Sequence, residues 1–167
     1  MSSPVTHDPR ISYEAFTHAA PAVYSALLAL GKAVDASGLE KSLTELIKIR
    51  ASQINGCAFC LQYHLTLARS QGVAPEKLDL VAAWHDAGVF TAREMAALAW
   101  TEALTRLASP GEAGAIDTDA VYARLLTQFT ETEAQFLTVA IGAINQWNRI
   151  GVGLRFAPVL PGAGPTA

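Results

Sequence analysis

The chain has 167 residues, a length at which a single domain buries a sizeable core without disulfide or metal staples. Apolar residues make up 51% and charged residues only 16%, with a mean hydropathy of +0.25, so self-association is expected. Twelve basic against fifteen acidic side chains give a net charge of −3 with no basic stripe, which argues against a nucleic-acid partner.

From the N-terminus, Met1 to Arg10 shows no basic segment leading into an apolar one, so no export signal is expected and the cytoplasm is the expected compartment. The most apolar stretches, 19–30 and 136–144, fall short of the ~20 residues of a membrane span, so no membrane insertion is expected. Alanine and leucine dominate, and apolar residues recur at three and four. The expected class is therefore all-α, with no strand. A first helix is predicted over 17–36, with Pro21 near its first turn and Ser37-Gly38 closing it. A second covers 39–54 on a stripe of Leu39, Leu43, Leu46, Ile47 and Ile54, and Asn55-Gly56 ends it. The third opens at Cys57 and runs to Gln71, and a short fourth runs from Pro75 to Trp84. Thr91 and Glu94 form a capping box for a helix over 92–108. Residues 109–114 read as a loop and 119–128 as a short helix. A second capping box, Thr130 with Glu133, opens a long last helix to Leu154. Residues 1–157 form one expected domain, and the Pro/Gly-rich 158–167 a frayed tail.

The chemistry gathers on the third helix. At 100° per residue, Cys57, Cys60 and His64 lie within about 60° of one another on one face. Cysteines three apart at a helix start can close a disulfide with little backbone movement, and the orphan N–H groups there favour a thiolate. A thiol of pKa ~8.5 is only ~3% ionised at pH 7, whereas one lowered to ~6 is ~90% ionised. His64, one turn after Cys60, is placed to take up its proton. Glu45 lies on the preceding helix. A helical hairpin at Asn55-Gly56 can bring its carboxylate back to hold a water or orient the histidine, one step removed from the sulfur.

Plainer readings compete with this one. Two cysteines can be small core residues or half of a zinc site, but a second Cys/His pair is missing and only His85 and Asp86 remain as ligands, so no metal is expected. Glu45 alone reads as a helix-surface residue paired with Lys48. Tyr63, Trp84, Trp100 and Trp147 read as core or interface aromatics. Asn145, Asn148, Arg149 and Arg155 suit a neighbouring subunit, a cap or solvent equally well.

The stretch from Leu46 to His64, with Ala68-Arg69, Gly72-Val73 and the run from Phe90 to Leu104, resembles the AhpD-like alkylhydroperoxidases of the carboxymuconolactone decarboxylase superfamily. The spacing Glu45-x11-Cys57-x2-Cys60-x3-His64 fits that family's catalytic pattern, and Ile144 to Arg149 looks like its final helix. The resemblance implies an all-helical fold, homo-oligomers (dimers, trimers or hexamers) and reduction of organic hydroperoxides with no bound cofactor. It also implies roles: Cys60 as the peroxidatic thiol, Cys57 as the resolving thiol, and Glu45 and His64 as a proton relay. The dithiol reductant of such proteins is typically a lipoyl-bearing protein. Phe59 departs from the pattern, because the best-characterised members carry a histidine between the cysteines. A general disulfide oxidoreductase and a redox-sensing, non-catalytic oligomer stay open as alternatives. Lactone decarboxylation is less favoured, since it needs no dithiol.

Overall fold

The structure is a computed structural model that describes residues 8–107 and 116–160. Among them are eight α-helices, one 3-10 turn and no strand. The expected loop at 109–114 and most of the expected tail lie outside the described residues.

Helix α1 (Tyr13–Ala19) starts at Ser12, whose hydroxyl accepts the Ala15 N–H at 3.0 Å. Helix α2 (Pro21–Asp35) follows at once. The single helix expected over 17–36 is thus two. The ring of Pro21 drives Ala20 out of helical geometry (φ −130°, ψ 56°), so the proline opens a new helix instead of continuing an old one. Helix α3 (Lys41–Asn55) ends on Gly56, whose φ of 67° reverses the chain at little cost, and α4 (Ala58–Ser70) starts two residues later. Helix α5 (Pro75–Leu80) passes into a 3-10 turn, Val81–Ala83. Then come α6 (Ala92–Thr105), α7 (Thr118–Leu125) and α8 (Glu131–Leu154). Both expected capping boxes form: Thr91 with Glu94, and Thr130 with Glu133.

Helix α3 is the central post, packed against α4, α6 and α8. Its Leu46, Ile47 and Ile49 are fully buried, and burying each such side chain contributes roughly 1.5–3 kcal/mol. One apolar cluster joins α3 to α6, α7 and α8 through Ile47, Ala97, Leu125 and Ile141. A second gathers Leu46, Ile49, Ala68 and Leu98 around Trp84.

Polar pins cross between helices. Glu102, buried on α6, accepts Trp84 Nε1–H at 2.9 Å, Arg50 Nε–H at 2.7 Å and Arg106 Nη1–H at 2.9 Å. Arg93 donates to Glu40 and Glu133 while its guanidinium lies 3.9 Å over the Phe129 ring. Asn55 donates to Asn145 and to the fully buried Asn148, each at 2.9 Å, tying the end of α3 to α8. Among the described residues, no helix is long and apolar enough to cross a membrane.

Candidate active site

The α3–α4 reversal sets the site. With Gly56 left-handed, Cys57 becomes the N-cap of α4, and its sulfur accepts the Cys60 N–H at 3.3 Å. Cys57 therefore caps the helix from outside, one position earlier than a helix opening at Cys57 implies. It is joined to Cys60 in a disulfide, with the two Cα atoms 5.4 Å apart, inside the usual range for such bridges. Both cysteines are buried, in a cluster with Ala51, Ile144, Phe59 and Trp147. Gly151 of α8 closes the inner side: a β-carbon there would stand 3.0 Å from the Cys57 sulfur and 3.3 Å from that of Cys60.

Glu45 comes from the middle of α3 and is 3% exposed. One carboxylate oxygen accepts from Lys48 Nζ at 2.7 Å, and the other pairs with His64 Nδ1 at 2.7 Å. Burial pushes the Glu45 carboxyl up, but the hydrogen bond and charge of His64 and then the Lys48 ammonium outweigh it, so its pKa lies below the ordinary carboxylate value. An ionised carboxylate only accepts, so Nδ1 carries the proton, and neutral His64 has its lone pair on Nε2. Among the described residues, Nε2 has no protein hydrogen-bond partner.

A cavity of about 400 Å³ opens onto these groups. Cys60, His64, Glu45 and Lys48 line it together with apolar walls from Leu27, Leu67, Ile144 and Trp147, whereas Cys57 does not reach it. The two cysteines, buried to a similar extent, thus differ in access. Tyr63 stands at the cavity half-exposed, and burial raises its phenol pKa. Tyr13 lines it too; burial and its hydrogen bond with Tyr24 (3.1 Å between the hydroxyl oxygens) push its phenol far up, so it stays neutral.

The four residues singled out by spacing, Glu45, Cys57, Cys60 and His64, thus meet at one place. One detail differs from the sequence reading. His64 Nδ1–H donates to Glu45, and neither ring nitrogen bonds a sulfur: Nδ1 is taken by the carboxylate, and the lone pair on Nε2 finds no proton on a disulfide sulfur. The expected pairing of Glu45 with Lys48 also forms, but Glu45 is buried and not a helix-surface residue, and its carboxylate serves both partners. His85 lies elsewhere, stacked on Trp84 at 3.5 Å between ring centroids and 3.7 Å from Glu102. Among the described residues, no group of three His, Cys, Asp or Glu side chains is placed to hold a metal. Phe59 packs between Tyr13 and Phe156, at 5.1 and 5.3 Å between ring centroids.

Sequence reasoning missed Tyr13, Phe156 and Gly151. The aromatics carry no motif, but a glycine within the last turn of a long helix is a signal that something approaches closely.

A chain helical throughout its described elements, with a buried Cys-x-x-Cys disulfide, a carboxylate–imidazole pair and an apolar cavity, is a Cys-x-x-Cys protein built on the AhpD-like fold. The chain belongs to the carboxymuconolactone decarboxylase family, whose model matches residues 21–103. An uncharacterized protein of Bacillus subtilis (strain 168), YdfG, is 32% identical over 145 residues, covering 87% of this chain and 93% of its own. A crystal structure from Agrobacterium tumefaciens is 40% identical with a TM-score of 0.82, covering 92% of this chain and 100% of that one. It is described as a protein of unknown function and a candidate antioxidant defence protein AhpD. The alkylhydroperoxidase AhpD core of a peroxidase-related protein from Ralstonia eutropha JMP134 shares the fold at a TM-score of 0.73 and 20% identity, over 87% of this chain and 75% of that one.

Proposed function

We propose that this protein is a thiol-dependent peroxidase that reduces organic hydroperoxides through a Cys57–Cys60 dithiol/disulfide cycle. The observation that carries the reading is the asymmetry of the pair. Cys60 faces an apolar cavity beside His64 and Glu45, while Cys57 sits behind it, bonded to it and shut off from the cavity.

In the reduced state, the Cys60 thiol gives its proton to His64, whose imidazolium is then held by Glu45. The thiolate attacks the distal oxygen of ROOH. The O–O bond breaks, Cys60 becomes a sulfenic acid, and the departing alkoxide takes a proton from His64 and leaves as ROH. The Cys57 thiol attacks the sulfenic sulfur, water leaves, and the disulfide forms. An external dithiol, on the family pattern a lipoyl-bearing protein, supplies two electrons and two protons to restore the thiols. A cavity of about 400 Å³ with Leu27, Leu67, Ile144 and Trp147 on its walls suits a bulky apolar peroxide better than hydrogen peroxide. Exposed Val23, Leu28, Val139 and Val152 on α2 and α8 support a homo-oligomer.

Stopped-flow oxidation of the reduced protein by cumene hydroperoxide, compared with hydrogen peroxide, tests the reading. Faster oxidation by cumene hydroperoxide, with one alcohol formed per disulfide, is expected. Reduced protein that consumes neither peroxide, yet exchanges with small disulfides, would make it a general disulfide oxidoreductase instead.

A further inference from the structure

We infer that Gly151 is a positioning residue for the redox pair, and that its missing side chain sets the balance between the disulfide and the dithiol. This rests on the reading of Cys57–Cys60 as a redox couple, but not on peroxide being its oxidant.

Gly151 lies in the last turns of α8 with no positive φ, so alanine would fit its backbone and favour the helix. Space forbids it. A β-carbon would meet the Cys57 sulfur at 3.0 Å, the Cys60 sulfur at 3.3 Å and Phe156 Cδ2 at 3.8 Å. The other helical glycines of the described residues, Gly31, Gly142 and Gly153, have nothing within 4 Å of such a carbon. One atom position on α8 thus touches both sulfurs at once, closer than sulfur and a methyl group normally approach. Neither cysteine can retreat while they are bonded. Cys57 is fixed as the N-cap of α4, with its N–H bonded to the Ser52 carbonyl at 3.0 Å, and the bond ties Cys60 to it. Once the pair is reduced, Cys60 alone borders the cavity and can turn into it. A methyl group at 151 therefore presses on both sulfurs of the disulfide but only on that of Cys57 in the dithiol, so it disfavours the disulfide more.

The exchange to measure is disulfide protein plus dithiothreitol giving dithiol protein plus cyclic oxidised dithiothreitol, two electrons and two protons passing to the protein. Gly151→Ala should shift this equilibrium at least tenfold toward the dithiol, about 30 mV for a two-electron couple. Gly153→Ala, exposed and two residues on, should leave it unchanged. Gly151→Ala should also lower the melting temperature of the oxidised form more than that of the reduced form. An unchanged equilibrium, or an equal loss of melting temperature in both forms, overturns the inference. If oxidised Gly151→Ala cannot be isolated, Cys57→Ala and Cys57→Ala/Gly151→Ala are compared. Removing the nearer sulfur should let the alanine at 151 be tolerated, and a double variant that melts far below Cys57→Ala refutes the inference. No peroxide enters these measurements. A shifted equilibrium in a protein that fails to reduce hydroperoxides leaves Gly151 in its role and removes the peroxidase, whereas normal turnover with an unshifted equilibrium removes only Gly151.

Discussion

Replacing Glu45 by glutamine removes a charge while keeping shape, and the effect is set by the two contacts at 2.7 Å. The carboxylate accepts from Lys48 with one oxygen and from His64 Nδ1 with the other. An amide has one oxygen and one NH2. With the oxygen toward Lys48, both neighbours are satisfied only if His64 Nδ1 gives up its proton and accepts from the NH2. The reverse orientation sets the NH2 against an ammonium, so the first arrangement wins. His64 then carries its proton on Nε2 and loses the free lone pair that, in the proposed cycle, takes the Cys60 proton. A positioned base contributes roughly 10²–10⁴-fold. Oxidation of Cys60 in Glu45→Gln should thus slow by about that factor at pH 7, equivalent to ~2.7–5.5 kcal/mol in the barrier. His64→Ala should slow it equally, with part of the rate returning as pH rises and hydroxide makes the thiolate. The assay is stopped-flow oxidation by cumene hydroperoxide from pH 5 to 9, together with the ¹⁵N shifts of the His64 ring, which report the tautomer. A parental rate and pH profile in Glu45→Gln, or a slow rate with the parental tautomer, refutes the reasoning.

Cys60→Ser should abolish peroxide consumption, while Cys57→Ser should react once and leave a sulfenic acid that dimedone labels, checked by mass spectrometry; the reverse labelling would exchange the two roles. Glu40, Glu45, Glu102 and Glu133 all have lowered pKa values, the last, bonded to the Thr130 N–H and Arg93, to about 2. Their contribution is complete above the unfolded value of ~4.3 and is lost as pH falls through the lowered ones. The urea midpoint should therefore be flat from pH 7 to 5 and drop between about 4 and 2, and a drop already complete by pH 5 would contradict this. Phe59→His puts a smaller, polar imidazole where an apolar phenyl packs between Tyr13 and Phe156 and should lower stability by about 1–3 kcal/mol in chemical unfolding, where no change would mean the phenyl is not gripped. Glu102→Ala strands the largely buried Arg50 and should cost roughly 3–5 kcal/mol by the same measurement.

Much of this arrangement was legible in the sequence because its signals are local. Thr91 with Glu94 and Thr130 with Glu133 mark helix starts whose partners sit three residues apart, and both form. Asn55-Gly56 ends α3 where a left-handed residue is needed. Glu45, Cys57, Cys60 and His64 lie close enough along the chain for one hairpin to gather them. The hidden features depend on distant contacts. Pro21 within a helical pattern leaves a kink and a fresh start equally possible, and here the start wins. The spacing leaves Glu45 to hold a water or to orient His64; that it is buried and meets Nδ1 directly is a matter of packing, which spacing does not state. Gly151 reaches the cysteines, and Phe156 reaches Phe59, only through the packing of α8 and the residues just after it on α4.

The walls of the dithiol site come from opposite ends of the described chain. Tyr13 and Phe16 lean on Phe156, Arg10 binds the Gly153 carbonyl at 2.8 Å, and Gly151 backs the sulfurs. During synthesis on the ribosome, α4 emerges well before α8, so for that interval both thiols stand bare, with neither their backing nor their shelter. Their oxidation in that window is chosen by whatever oxidant or stray thiol is nearby, and the native pairing becomes the enclosed one only when α8 docks. Maturation of the site thus waits for α8 to be made, and chains stalled before it should be far more open to glutathionylation than chains that include it.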